Sequence, residues 1–154
     1  MAFLEAQGVS FFWSSAAGAT TIVTTDAGSK VNQVVSIGGP SGSGGKIDVT
    51  NLGSTAKQFL MGLRDEGEIT LDVIYDPADA GQVAMFDYRA ARTKNNWGIK
   101  LSDGSSNMIK GYGFCTGFSL SGAVDDAVKA SITVAITGAV EVSVGTTIAQ
   151  DTSV

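Results

Sequence analysis

The chain has 154 residues, with ten Lys and Arg, fifteen Asp and Glu, one cysteine and no histidine. Without an imidazole it has no Ser-His-Asp or Cys-His relay, no histidine metal ligand and no side chain that titrates unaided near neutrality. Cys115 stands in Gly113-Phe114-Cys115-Thr116-Gly117 with no cationic neighbour in sequence to lower its pKa, so it reads as a structural thiol and not a nucleophile. Two acid pairs, Asp65-Glu66 and Asp125-Asp126, have the residue types of a glycosidase, but adjacent acids in turn-forming stretches are ordinarily solvated. The glycine-rich stretch before Lys46 approximates a phosphate-binding loop. It fails because Pro40 replaces the first glycine, Ile47 replaces the Ser or Thr, and a strand-like alternation follows where a helix is needed. Gly111-Tyr112-Gly113 lacks the third glycine of a dinucleotide fingerprint. Arg89, Arg92 and Lys94 beside Trp97 are the charges expected at a helix C-terminus, and a net charge of −5 repels phosphate overall. The sequence therefore points to no enzyme, cofactor or metal.

The elements that hold these residues are mostly strands. A 44% hydrophobic share with 16% charged residues indicates a chain that buries a core, and 20 glycines among many Val, Ile and Thr suit strands joined by tight turns. The length fits one domain, residues 1–154. The opening stretch, residues 1–13, holds Phe3, Phe11, Phe12 and Trp13 and is either an arm that contacts a partner or a first strand on its own core. Residues 31–37 and 46–50 read as two strands linked by the flexible loop Gly38-Gly39-Pro40-Ser41-Gly42-Ser43-Gly44-Gly45. Residues 51–65 form an excursion in which Ser54 could cap a short helix.

From Glu68 onward, Ile69, Leu71, Val73 and Tyr75 alternate with Glu68, Thr70 and Asp72, which predicts a half-buried strand. Asp76-Pro77-Ala78-Asp79 then reads as a helix start with Asp76 as the cap. The helix is expected to end near Arg92 and to bury Val83, Phe86 and Ala90. Two hairpins follow, turning at Ser102-Asp103-Gly104-Ser105 and at residues 122–126. Ala130, Ile132, Val134 and Ile136 share the inner face of the last strand. Tyr112, Phe114 and Phe118 are expected in the core, opposite the smaller Gly113, Cys115, Gly117 and Ser119. Residues 145–154 look like a frayed tail. One cysteine gives no sign of an oxidising compartment, the first eight residues lack a signal-peptide pattern, and no apolar run approaches the about 20 residues of a membrane helix. A soluble protein made in the cytoplasm is expected, with no membrane partner.

The order of three segments, Gly38-Gly39-Pro40, then Ile47-Asp48-Val49-Thr50, then Gly62-Leu63-Arg64-Asp65-Glu66-Gly67-Glu68-Ile69, resembles the major tail tube proteins of long-tailed bacteriophages. The likeness continues through Phe118-Ser119-Leu120-Ser121-Gly122-Ala123-Val124-Asp125-Asp126, so it spans roughly residues 31–140. It implies a mainly β (α+β) fold, a β-sandwich or half-barrel of antiparallel strands with one flanking helix. It also implies hexameric rings that stack into a hollow tube in the virion tail. The partners would be further copies of the chain, the tape measure and other tail proteins, and DNA passing through without specific binding. On this reading residues 38–45 stack one ring on the next, Phe3, Phe11, Phe12 and Trp13 are contact candidates, and Asp48, Glu68 and Asp72 are candidates for an acidic lumen. Ser119, Ser131, Thr133 and Thr137 would either form a smooth part of that wall or face a second sheet. No decorating domain is expected after residue 140. The alternatives are an inner-tube subunit of a contractile tail or type VI secretion system, and a monomeric β-sandwich that binds a ligand on an aromatic platform.

Overall fold

Period-two hydrophobicity becomes a sheet in the computed structural model, which describes residues 8–13, 21–23, 30–101, 107–144 and 147–149. In chain order the elements are β1 (Ser10–Trp13), β2 (Thr21–Val23), β3 (Lys30–Val31), β4 (Val34–Gly38), β5 (Ser43–Asp48), β6 (Phe59–Asp65), β7 (Glu68–Ile74), α1 (Ala80–Ala91), β8 (Asn95–Lys100), β9 (Asn107–Ser121), β10 (Lys129–Val144) and β11 (Thr147–Ala149). Seven strands form one antiparallel sheet in the order β3-β1-β8-β9-β10-β7-β4, while β5 pairs with β6 and β11 with β2 in two separate two-stranded ribbons. The expected mainly β architecture with one flanking helix is what the chain forms. The sheet is open and not closed into a barrel.

The centre of the sheet follows directly from alternation. In β7, Ile69, Leu71 and Val73 are buried while Glu68, Thr70, Asp72 and Ile74 face out. Opposite them in β10, Ile69 pairs with Val134, Leu71 with Ile132 and Val73 with Ala130, so both strands commit the same face to the core. Helix α1 packs across that face onto β9, β3 and β1. At the other end of the sheet Phe11, Phe12, Trp13 and residues 95–99 are all buried. The N-terminal aromatics thus form a first strand and leave no exposed arm at residues 10–13. Phe3 lies outside the described residues, as do residues 102–106, where a turn is expected.

Several expectations need correction. The run at residues 31–37 is split by Gln33, whose φ is +61°, into β3 and β4, and β4 pairs with β7 instead of with the next strand. Strand β5 begins at Ser43, so Ser43, Gly44 and Gly45 belong to the ladder, and its partner is β6. Residues 59–65 are therefore a strand, and no helix follows Ser54. Its hydroxyl instead accepts a hydrogen bond from the Asn51 N–H at 3.1 Å, closing a turn. In the tail, 147–149 is a strand paired with β2, and the remaining residues from 145 onward lie outside the described residues.

The helix starts three residues later than its first acid suggests. Asp76 accepts from the Ala78 N–H at 2.9 Å and Asp79 is the N-cap, accepting from the Gln82 N–H at 3.3 Å. Asp79 is chosen because it also binds the turn between β3 and β4. Its two carboxylate oxygens accept from the Asn32 N–H at 3.1 Å and from Asn32 Nδ2 at 2.8 Å. Gln82 completes the clamp by donating to the carbonyls of Asn32 and Ile74 at 3.0 and 3.1 Å and accepting from the Asp76 N–H at 3.0 Å. Gly81 lets the first turn lie against the Lys30 carbonyl, where a Cβ would collide. The helix ends at Arg92, which takes a left-handed conformation with φ +58°. Docking through this clamp rotates the buried stripe to Gly81, Gln82 and Met85, so Val83 and Phe86 remain 40% and 48% exposed and Ala90 also faces out.

Replacing Asp79 or Gln82 by Ala strands buried backbone and amide partners and is expected to lower unfolding free energy by about 2–3 kcal/mol. Asp76→Ala is expected to cost about 1 kcal/mol or less, its turn being exposed. Urea titration followed by circular dichroism distinguishes the two acids, and a larger loss from Asp76→Ala than from Asp79→Ala would make Asp76 the cap.

Candidate assembly surfaces

The residues that could do chemistry are dispersed into structural roles. Asp65 Oδ1 accepts from the Gly67 N–H at 2.9 Å, and Glu66 pairs with Arg64 at 3.6 Å. Asp125 takes φ +63°, while Asp126 accepts from the Ala127 N–H at 2.8 Å and meets Lys129 at 3.4 Å. Both acid pairs therefore build turns. Lys46 lies over the Phe59 ring, with Nζ 5.4 Å from its centroid, Arg89 over Phe86 at 5.7 Å and Lys94 over Tyr112 at 4.7 Å. Trp97 is wholly buried and donates from Nε1 to the Tyr112 carbonyl at 3.0 Å, so it offers no base-stacking surface next to those cations. Among the described residues no three or more Asp, Glu or Cys converge as a metal site.

A bulge decides the fate of Cys115 and the aromatic row. Gly117 pairs with Thr133 but Cys115 with Val134, so Thr116 is an extra residue. Cys115 and Phe118 consequently both join the core face, Phe114 points to the opposite side, and Tyr112 is buried. The three rings share no exposed platform, which removes the feature on which the ligand-binding alternative depends. Desolvation pushes the Cys115 thiol up to about 11, against a lesser opposing pull from Arg89 and a hydrogen bond involving the Gly117 backbone.

Two surfaces stand out instead. The first is the β5–β6 hairpin, every strand residue of which is exposed except the partly covered Gly62. Ile47 sits opposite Leu60 on one of its faces, while Lys46 and Met61, and Asp48 and Phe59, pair on the other. Leu60 and Leu63 are 58% and 96% exposed. Strand β6 carries apolar residues on both faces, a pattern that belongs to a strand covered on both sides. That run, Phe59-Leu60-Met61-Gly62-Leu63, was the available sequence signal for this surface. Gly39 at the hairpin's root has φ +96° and lies against the Glu68 carbonyl, where no Cβ fits, so residues 38–42 form a specified corner. At the tip Asp48 Oδ1 accepts from the Thr50 N–H at 2.8 Å, and hydrogen bonding to Thr50, side chain before backbone, holds its carboxyl below the usual value.

The second surface is the uncovered face of the sheet. Across β4, β7, β10 and β9 it presents Ser36, then Glu68, Thr70 and Asp72, then Ser131 and Thr133, then Ser119. Asp72 accepts from the Ser36 hydroxyl at 2.9 Å. Thr137 continues the β10 alternation on that face and is partly buried, and Lys129 at the rim is held by Asp126. The structure thus brings Glu68 and Asp72 together and leaves Asp48 apart, on the hairpin.

An open antiparallel sheet with one flanking helix and a projecting hairpin is the fold of tube-building subunits. The chain superposes on the tail of an empty gene transfer agent particle of C6 symmetry with TM-score 0.62 and 17% identity, covering 80% of this chain and 92% of that one. It matches the SPP1 tail tube, determined by solid-state NMR and cryo-EM, with TM-score 0.67 and 17% identity over 92% and 80% of the two chains. A PVC sheath–tube complex of an extracellular contractile injection system gives 0.67 and 15% over 92% of each. No curated protein matches the sequence. Residues 2–111 match the model of the lambda-like phage tail tube protein family, and the chain belongs to that family of virion tail proteins.

The buried thiol yields a direct test. At pH 8 the folded protein is expected to leave Cys115 unmodified by a maleimide for hours, whereas the urea-unfolded chain reacts within minutes, because raising the pKa to about 11 removes nearly all thiolate. Comparable rates in the two states, read by mass spectrometry, refute the assignment.

Proposed function

We propose that residues 1–154 act as one tail-tube domain, six copies of which close into a ring, and that rings stack into the hollow conduit through which a phage genome is ejected. The role is architectural, with synthesis in the host cytoplasm and function in the virion tail, alongside the tape measure and other tail proteins. The observation that carries this reading is the hairpin: a two-stranded arm with exposed apolar residues on both faces, left uncovered by the described residues of its own subunit. Family membership and the C6 symmetry of the gene transfer agent tail support the ring. Among the described residues the outer edges of β3 and β4 have no further strand beside them, and a closed ring removes such aggregation-prone edges. Residues 38–45, the root and first half of the hairpin, serve the stacking contact. The contractile injection tube is equally similar in fold, and the lambda-like family match favours the long-tailed branch.

The lumen wall on this reading is the uncovered face of the sheet, with Glu68 and Asp72 contributing negative charge among Thr70, Ser119, Ser131 and Thr133. DNA carries a phosphate about every 1.7 Å of axis, and a cationic wall would hold it through counterion release. Short hydroxyl side chains with scattered carboxylates repel the backbone, and the partly exposed Phe114, in register with Ala135 and Glu68, is an aromatic ring on the same face.

Purified protein at high concentration is expected to show rings and tubes by negative-stain microscopy, and Leu60→Asp with Leu63→Asp to keep the circular dichroism spectrum while losing tubes. Tubes formed unchanged by the double variant count against the stacking role. Tubes of the Glu68→Lys, Asp72→Lys variant are expected to co-sediment with DNA at about 50 mM salt and release it by about 200 mM, while wild-type tubes leave it in solution. Equal DNA in both pellets refutes the wall assignment.

A further inference from the structure

The hairpin has a candidate receptor on the same chain, at the opposite end of the molecule. Gly38 of β4 pairs with Thr70, and Gly39 lies against Glu68, so the hairpin leaves the sheet and returns to it at the N-terminal end of β7. At the C-terminal end, about 20 Å further along the strand direction, a groove of about 410 Å³ opens between α1 and the sheet. Its walls are Tyr75, Gln82, Val83, Phe86, Phe118 and Leu120. Phe118 stands edge-on to Phe86 at 5.4 Å and to Tyr75 at 6.2 Å, which gives the groove a stiff aromatic floor. Exposed Leu120, Val124 and Val128 extend the apolar surface around the adjoining turn. This groove exists because the Asp79 and Gln82 clamp turns Val83 and Phe86 away from the core.

We propose that the groove between α1 and β9 receives the Ile47–Leu60 face of the β5–β6 hairpin from a second copy of the chain in the next ring. The inference rests on the stacked-ring reading and specifies its contact. Three observations select a second copy as the occupant. The two surfaces are both apolar, with aliphatic side chains on the hairpin and aromatic walls in the groove. They lie at opposite ends of the strand direction, so one chain cannot join its own pair. A contact between two different patches at opposite ends repeats from copy to copy without closing, and that is the geometry of a growing polymer.

The test is cross-linking in assembled material. A chain carrying both Leu60→Cys and Val83→Cys is treated with a short bis-maleimide at pH 7, where the desolvated Cys115 stays unreactive. The expected result is a ladder of covalent oligomers on a denaturing gel, with each single-cysteine variant remaining monomeric. A second arm uses Phe86→Ser, which removes one groove ring and its edge contact with Phe118 while the buried helix residues Gly81, Gln82 and Met85 stay in place, the fold being checked by circular dichroism. It is expected to raise the concentration needed for tube growth about tenfold, as truncating an interface anchor does. Tubes that form without a ladder, with Val83→Cys still open to a bulky maleimide or covered by another tail protein, overturn the groove contact and leave the stacked-ring reading standing. Absence of both tubes and ladder overturns both.

Discussion

Strand β7 sets the terms for everything around it. Ile69, Leu71 and Val73 must be buried together, and a strand that spends every second residue on a core has only the intervening ones to offer elsewhere. Its partner β10 obeys the same rule with Ala130, Ile132 and Val134. Because each is paired on both sides, one face of the two strands is committed to the core and the other is left to Thr, Ser and carboxylates. The start of β7 receives the chain from the hairpin and its end delivers the chain to the helix. A one-residue slip in this strand would exchange the two faces and displace both attachments.

The helix shows how a polar contact can govern where apolar residues go. On sequence alone Val83 and Phe86 belong to the buried stripe, as two large hydrophobes at helical spacing. The Asp79 carboxylate, with donors from both Asn32 and Gln82, fixes the rotation of the helix instead. Gln82 and Gly81 then occupy the inner positions that a hydrophobicity pattern would have given to Val83. An interior Gln with its amide bonded on both sides is tolerable, and two displaced hydrophobes become a surface feature.

Legibility in the sequence tracked the range of the interactions involved. The alternation in residues 68–75, the helix end at Arg92 and the long closing hairpin were readable because each depends on neighbours within a few positions. The pairing of β4 with β7 and of β5 with β6 was not, since a glycine-rich corner conceals which strand the chain returns to. The helix rotation depended on Asn32, about 50 residues away from Gln82, and the Thr116 bulge inverted the expected placing of Phe114 and Cys115. The outward placing of Glu68 and Asp72 on the sheet was legible from alternation. Asp48 alternates equally well but belongs to a different sheet, a distinction carried only by long-range pairing.

The hairpin and the helix clamp are attached to opposite ends of the same strand. A pull between them runs along β7 and is resisted by its hydrogen bonds to β10 and β4 side by side. Bonds loaded together in shear must fail nearly at once, whereas bonds peeled from one end fail singly. The subunit is therefore built to be strongest in tension along its strands and weakest when the edge strand β4 is drawn sideways off the sheet.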